Sequence, residues 1–137
     1  MRIYTDCSYD PYSHVCGLGL YIEDGVVTRT ISTRISADNN NYGELFAIYL
    51  AAILSHGKDC TIYTDSQIAM SFVKGNVKCN AETVDSYERF QRLRLLGYKI
   101  RQLKPVLAWV RGHQRDLNNH SIGNQLADLL AKQGRIK

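Results

Sequence analysis

The sequence predicts one α/β domain over residues 1–137: a five-stranded mixed sheet in the order 3-2-1-4-5, its first three strands antiparallel, flanked by helices. Three observations carry this reading. Three strand-like segments, separated by turn signals, precede any helical pattern. Helical and strand-like segments then alternate to the C-terminus. The chain also writes Ile-Tyr-Thr-Asp twice, at residues 3–6 and 62–65, in what read as the first and fourth strands.

Residues 2–8 alternate, with Ile3, Thr5 and Cys7 on one face and Tyr4 and Asp6 on the other. Residues 9–12 read as a turn, and residues 16–23 as a second strand. Asp24-Gly25 is a hairpin signal, because glycine tolerates the positive φ of a tight turn. Residues 26–35 complete an antiparallel meander. After the polar run at 37–41, Leu45, Ile48, Tyr49, Ala52 and Ile53 follow helical spacing, ending near His56-Gly57. Residues 60–65 form the fourth strand, and Ser66 opens a short helix to about Lys74. Asn80 is the expected cap of a longer helix ending near Gly97. Residues 106–110 form the fifth strand, and a last helix carries Ile122, Leu126, Leu129 and Leu130 on one stripe.

Strands joined through helical crossovers lie parallel, so strand 4 belongs beside strand 1 with strand 5 beyond it. Connections change from meander to crossover between strands 1 and 4, and open sheets bind ligands at the carboxyl ends of such strands. The repeated motif would therefore bring Asp6 and Asp65 side by side at one sheet edge. Close carboxylates repel and raise one another's pKa, unless a divalent cation keeps both ionised. Glu44, expected in the first turn of the first helix, and Asp128, off the apolar stripe of the last, fall at the same edge. Taken singly, each acid has a plain alternative. Asp65 could cap the short helix, Glu44 could partner Asn41 in a capping box, and Asp128 could pair with Lys132. Together they form an oxygen-only ligand set suited to Mg²⁺ or Mn²⁺ and sufficient for two ions.

Apolar residues are 45% of the chain, enough for a real core, and the net charge is +4. Residues 74–111 hold nine basic residues against three acidic ones, a basic stretch that suits a polyanion and equally suits a solvated helix face. Cys7, Cys16, Cys60 and Cys79 form no C-x-x-C pair, which argues against a zinc site and a secreted disulfide framework. With no signal peptide and no membrane-length apolar run, the expectation is a soluble, cytoplasmic monomer.

Five segments in order, YTDCS, NNNYGELFAIYLA, IYTDSQ, WVRGH and IGNQLADLLAK, resemble the type 1 ribonuclease H family over nearly the whole chain. The resemblance implies the RNase H-like fold and a Mg²⁺-dependent endoribonuclease acting on RNA/DNA hybrids by a two-metal mechanism, with 5′-phosphate and 3′-hydroxyl products. It implies catalytic, metal-binding carboxylates at Asp6, Glu44, Asp65 and Asp128. Substrate contacts are implied at Ser8, Asn40, Asn41 and Gln67. The loop histidine matches His113, with His120 as its alternative, because the chain from His113 to Asp128 is longer than usual for the family. Many members have Asp-Gly-Ser where this chain has Asp6-Cys7-Ser8. Only seven residues separate Lys74 from Glu82, too few for the Trp- and Lys-rich protrusion of many cellular members. The expected phosphate-binding surface is therefore Arg89, Arg92 and Arg94, with Lys99 and Arg101 beyond. The chain reads as a minimal form without an N-terminal hybrid-binding domain. Rival readings are a DNA nuclease or integrase-like enzyme on the same fold, a non-catalytic hybrid-binding module, and an ion-binding structural domain.

Overall fold

A computed structural model describes residues 1–112 and 119–136. Five strands run as β1 (Arg2–Asp10), β2 (Val15–Asp24), β3 (Val27–Ser36), β4 (Thr61–Thr64) and β5 (Val106–Trp109). Helices are α1 (Asn40–Ser55), α2 (Gln67–Lys74), α3 (Val84–Gln102) and α4 (Asn119–Arg135). The sheet order is β3-β2-β1-β4-β5, with β1–β3 antiparallel and β4 and β5 joined in parallel, as the sequence predicts. No helix among the described residues is long and apolar enough to cross a membrane.

The two Ile-Tyr-Thr-Asp copies lie in register. Ile3 pairs with Ile62 and Tyr4 with Tyr63 across the β1–β4 ladder. The tyrosine rings stack at 4.7 Å, and Thr5 Oγ1 donates to the Tyr63 carbonyl at 3.1 Å. Two residues beyond the Tyr4–Tyr63 pair on each chain segment, Asp6 and Asp65 reach the same edge. On one face Ile3, Leu18, Leu20, Ile62, Leu45, Ile48 and Ile100 form the fully buried centre of the core.

The other face receives α4, and here the structure corrects the sequence reading. The expected apolar stripe is not the buried one: Ile122 is 42% exposed and Leu129 60%. The helix instead presents small residues. Ala127 and Ala131 are fully buried, with Ser121 and Asn124 nearly so. A Cβ on Gly17 or Gly19 of β2 would overlap the Ala131 or Ala127 carbonyl oxygen, and one on Gly123 would sit 2.5 Å from the Tyr4 ring. The helix backbone thus rests almost directly on the sheet, fixing the height of Asp128 above the edge. Gly19→Ala is expected to destabilise the domain by ~1–3 kcal/mol, read from the denaturation midpoint. An unchanged midpoint would contradict this packing.

The third helix also departs from expectation. Its N-cap is Thr83, not Asn80, because Thr83 and Ser86 complete a reciprocal capping box. It continues past Gly97 to Gln102. Gly97 does not end the helix: a Cβ there would collide with the Phe72 carbonyl oxygen, so it admits α2 at close range.

Candidate active site

Asp65 and Glu44 reach the site while other residues cap the helices beside them. Ser66, not Asp65, caps α2, accepting from the Ala69 amide at 3.0 Å. Asn39 caps α1, accepting from the Tyr42 amide at 2.8 Å. Because α1 starts at Asn40, Glu44 opens its second turn, one turn later than the sequence suggests, and caps nothing. Asp128 keeps its plain partner, pairing with Lys132 at 3.0 Å, and lines the same cleft as Asp6.

Carboxylate oxygens of Asp6, Glu44 and Asp65 all lie within 4.8 Å of one another. Asp6 is 5% exposed and Glu44 6%. Burial, then the charges of Glu44 and Asp65, push the Asp6 carboxyl up to about 10. Burial and then Asp65 push Glu44 up to about 8, against opposing hydrogen-bond effects of Cys7 and Asp6. The sequence foresaw the mutual repulsion; desolvation proves the larger cause for both. Glu44 Oε2 is buried with no hydrogen-bond partner among the described residues. An orphaned carboxylate oxygen facing two more carboxylates, with oxygen-only donors, fits a hard divalent cation.

These residues line a cleft of about 670 Å³, together with Cys7, Asn40, Asn41, Ser66, Gln67, Ile68, Trp109, Gly112 and Asp128. A family model described as RNase H matches residues 1–136. The chain belongs to the RNase H family. It is 30% identical over 149 residues to a ribonuclease H of Orientia tsutsugamushi (strain Boryong), an alignment covering 100% of this chain and 83% of that protein. The RNase H1 structure from the halophilic archaeon Halobacterium salinarum NRC-1 has the same fold, with a TM-score of 0.64 at 20% identity over 97% of this chain and 95% of that one. The prototype foamy virus protease-reverse transcriptase matches with a TM-score of 0.71 at 22% identity over 99% of this chain. The chain spans only 21% of that viral protein.

On this RNase H-family frame, the cleft gathers all four expected acids with Asn40, Asn41 and Gln67. Ser8, Arg89, Arg92 and Arg94 do not line it. The three arginines are exposed on α3, where Arg92 pairs with Asp38 next to the start of α1. Arg101 is also engaged, donating to the Val73 carbonyl at 2.9 Å. His113 lies outside the described residues. His120, in the first turn of α4, is hydrogen-bonded through Nδ1 to the Tyr4 hydroxyl at 2.8 Å, and its ring packs on Tyr63.

Sequence reasoning missed Trp109 and Gly112 as wall residues. Trp109 Nε1 donates to the Asp65 carbonyl at 3.3 Å, and a Cβ on Gly112 would lie 2.9 Å from Asp65 Oδ2. Both belong to the WVRGH segment, which begins on the last residue of β5 beside β4, and that adjacency was the available signal.

Proposed function

We propose that this domain is a metal-dependent endoribonuclease of the type 1 class, hydrolysing the RNA strand of RNA/DNA hybrids and leaving 5′-phosphate and 3′-hydroxyl ends. The cluster of Asp6, Glu44 and Asp65, with one buried carboxylate oxygen lacking a partner, is the observation that carries it. Family membership and the ribonuclease H relative support the substrate class.

Asp6, Glu44, Asp65 and Asp128 would hold two divalent ions, Mg²⁺ with Mn²⁺ as a substitute. Bound there, the ions supply an activated water and neutralise charge on the leaving 3′ oxygen. Asn40, Asn41, Gln67 and Ser8 contact the substrate strand. Glu44 and nearby backbone read the 2′-hydroxyl that separates RNA from DNA. Arg89, Arg92 and Arg94 meet phosphates without reading bases. His113 moves a proton or eases product release.

His120 has a structural occupation in its bond to Tyr4. His113→Ala is therefore expected to slow turnover more than His120→Ala. The latter should lower stability by ~1 kcal/mol through loss of the Tyr4 bond. Steady-state rates and thermal melts of both variants check this. Impairment of His120→Ala alone would assign the proton-transfer role to His120.

The function is tested by incubating labelled RNA/DNA hybrid, double-stranded RNA and double-stranded DNA with the protein, with and without Mg²⁺. Hybrid cleavage that needs Mg²⁺ is the expected result. Cleavage of duplex DNA would favour the nuclease or integrase reading, and binding without cleavage the non-catalytic module.

A further inference from the structure

We propose that Cys7 is a positioning residue that sets which end of the Asn40 amide faces the substrate, an inference that rests on the hydrolase reading above. Consecutive residues of a strand point to opposite faces. Asp6 enters the acid cluster, so Cys7 turns toward the start of α1, where it is 7% exposed. Its Sγ lies 3.2 Å from Asn40 Oδ1 and 3.4 Å from the Asn40 carbonyl oxygen. Both are acceptors, so the thiol meets either one only as a donor. The Cys16 sulfur and the Glu44 carboxyl lie beside it as competing neighbours; sulfur is a weaker acceptor than an amide oxygen, and Asn40 Oδ1 is the nearer of the two Asn40 oxygens.

With Oδ1 directed at the thiol, the Asn40 amide turns its Nδ2 outward. Asn40 is exposed, lines the cleft and has no other side-chain hydrogen bond among the described residues. It therefore presents a donor, suited to an acceptor on the nucleic acid such as O2′ or a minor-groove base edge. A flipped amide would present an acceptor and lose this contact.

Room for the thiol comes from α1. A Cβ on Gly43 would run into Cys16 Sγ and come within 3.0 Å of Cys7 Sγ. The bulk that this chain adds at position 7 is thus matched by its absence at position 43. The same residue also touches the acid cluster, since the Cys7 amide donates to Asp6 Oδ1 at 2.9 Å. That backbone contact survives any side-chain substitution at position 7.

The test is a double-mutant cycle on the full chain, with kcat and KM for an RNA/DNA hybrid measured in Mg²⁺. Cys7→Ala should raise KM roughly 3- to 10-fold, the range of one hydrogen bond, and leave kcat within about twofold. Asn40→Ala should raise KM at least as much. Adding Cys7→Ala to Asn40→Ala should change nothing further, and Cys7→Ser should restore most of the KM by donating to the same oxygen. An equal rise in KM in both backgrounds would overturn the role, as would a fall in kcat at constant KM. Should Cys7→Ala fail to fold, Cys7→Ser decides: near-normal KM supports the role, and a KM raised as far as that of Asn40→Ala overturns it. Absence of hybrid cleavage by the unaltered protein would overturn the hydrolase reading and this inference with it. An additive cycle in an active protein overturns the Cys7 role alone.

Discussion

Asp65→Asn is expected to reduce Mg²⁺-dependent cleavage of the hybrid by roughly a thousandfold or more while leaving the fold in place. The substitution keeps size and shape and removes one charge. It takes a proposed metal ligand from a site where carboxylate oxygens of Asp6, Glu44 and Asp65 lie within 4.8 Å of one another. The cap of α2 survives the substitution, because Ser66 supplies it. Asp65 charge raises the pKa of both Asp6 and Glu44, so its removal should leave the metal-free melting temperature unchanged or higher. Single-turnover cleavage and thermal melts in EDTA measure the two effects. Near-normal cleavage would remove Asp65 from the catalytic set, and a collapsed fold would make its role structural.

Metal-free protein is expected to lose stability as pH rises from about 5 to 9, and saturating Mg²⁺ to restore it. The folded state holds the Glu44 proton up to about 8 and the Asp6 proton up to about 10, whereas both titrate near 4 in the unfolded chain. Folded protein therefore binds more protons than unfolded protein across that interval, and the slope of stability against pH is negative. The stabilising contribution of the protonated groups is complete below about pH 4 and is lost as pH climbs through their folded values. The slope is at most about 1.4 kcal/mol per pH unit for each carboxyl, shared where the pair titrates together. A bound cation replaces the protons, so Mg²⁺ affinity should rise over the same interval. Melting curves at several pH values, with EDTA and with Mg²⁺, read this directly. A flat profile in EDTA would contradict the buried cluster, and Asp65→Asn should flatten it in part.

Strand order was legible because the repeated Ile-Tyr-Thr-Asp encodes a register as well as two strands. Pairing Ile3 with Ile62 leaves the aspartates nowhere else to go. The four acids were legible only jointly, since each has a plain local use. For Asp128 that use is real: its bond to Lys132 coexists with its place in the cleft. What could not be read was contact between backbones. Gly17, Gly19 and Gly123 look like ordinary strand and helix glycines in sequence, yet they select the small-residue face of α4 over its leucine stripe. Gly97 resembles a helix terminator for the same reason, and its purpose shows only once α2 lies against it. Charge counting likewise could not show the partners of Arg92 and Arg101, since Asp38 and Val73 are distant in sequence. The exchange of bulk between Cys7 and Gly43 spans two elements, and no local pattern announces it.

Product analysis of a doubly labelled hybrid decides whether this acidic cleft cuts RNA paired to DNA. RNA and DNA strands carry different labels, and the ends of every fragment are identified after reaction in Mg²⁺ and in EDTA. The expected result is RNA fragments bearing 5′-phosphate and 3′-hydroxyl ends, an intact DNA strand, and no reaction in EDTA. Cut DNA, RNA ends bearing 2′,3′-cyclic phosphate, or cleavage that persists in EDTA would contradict it.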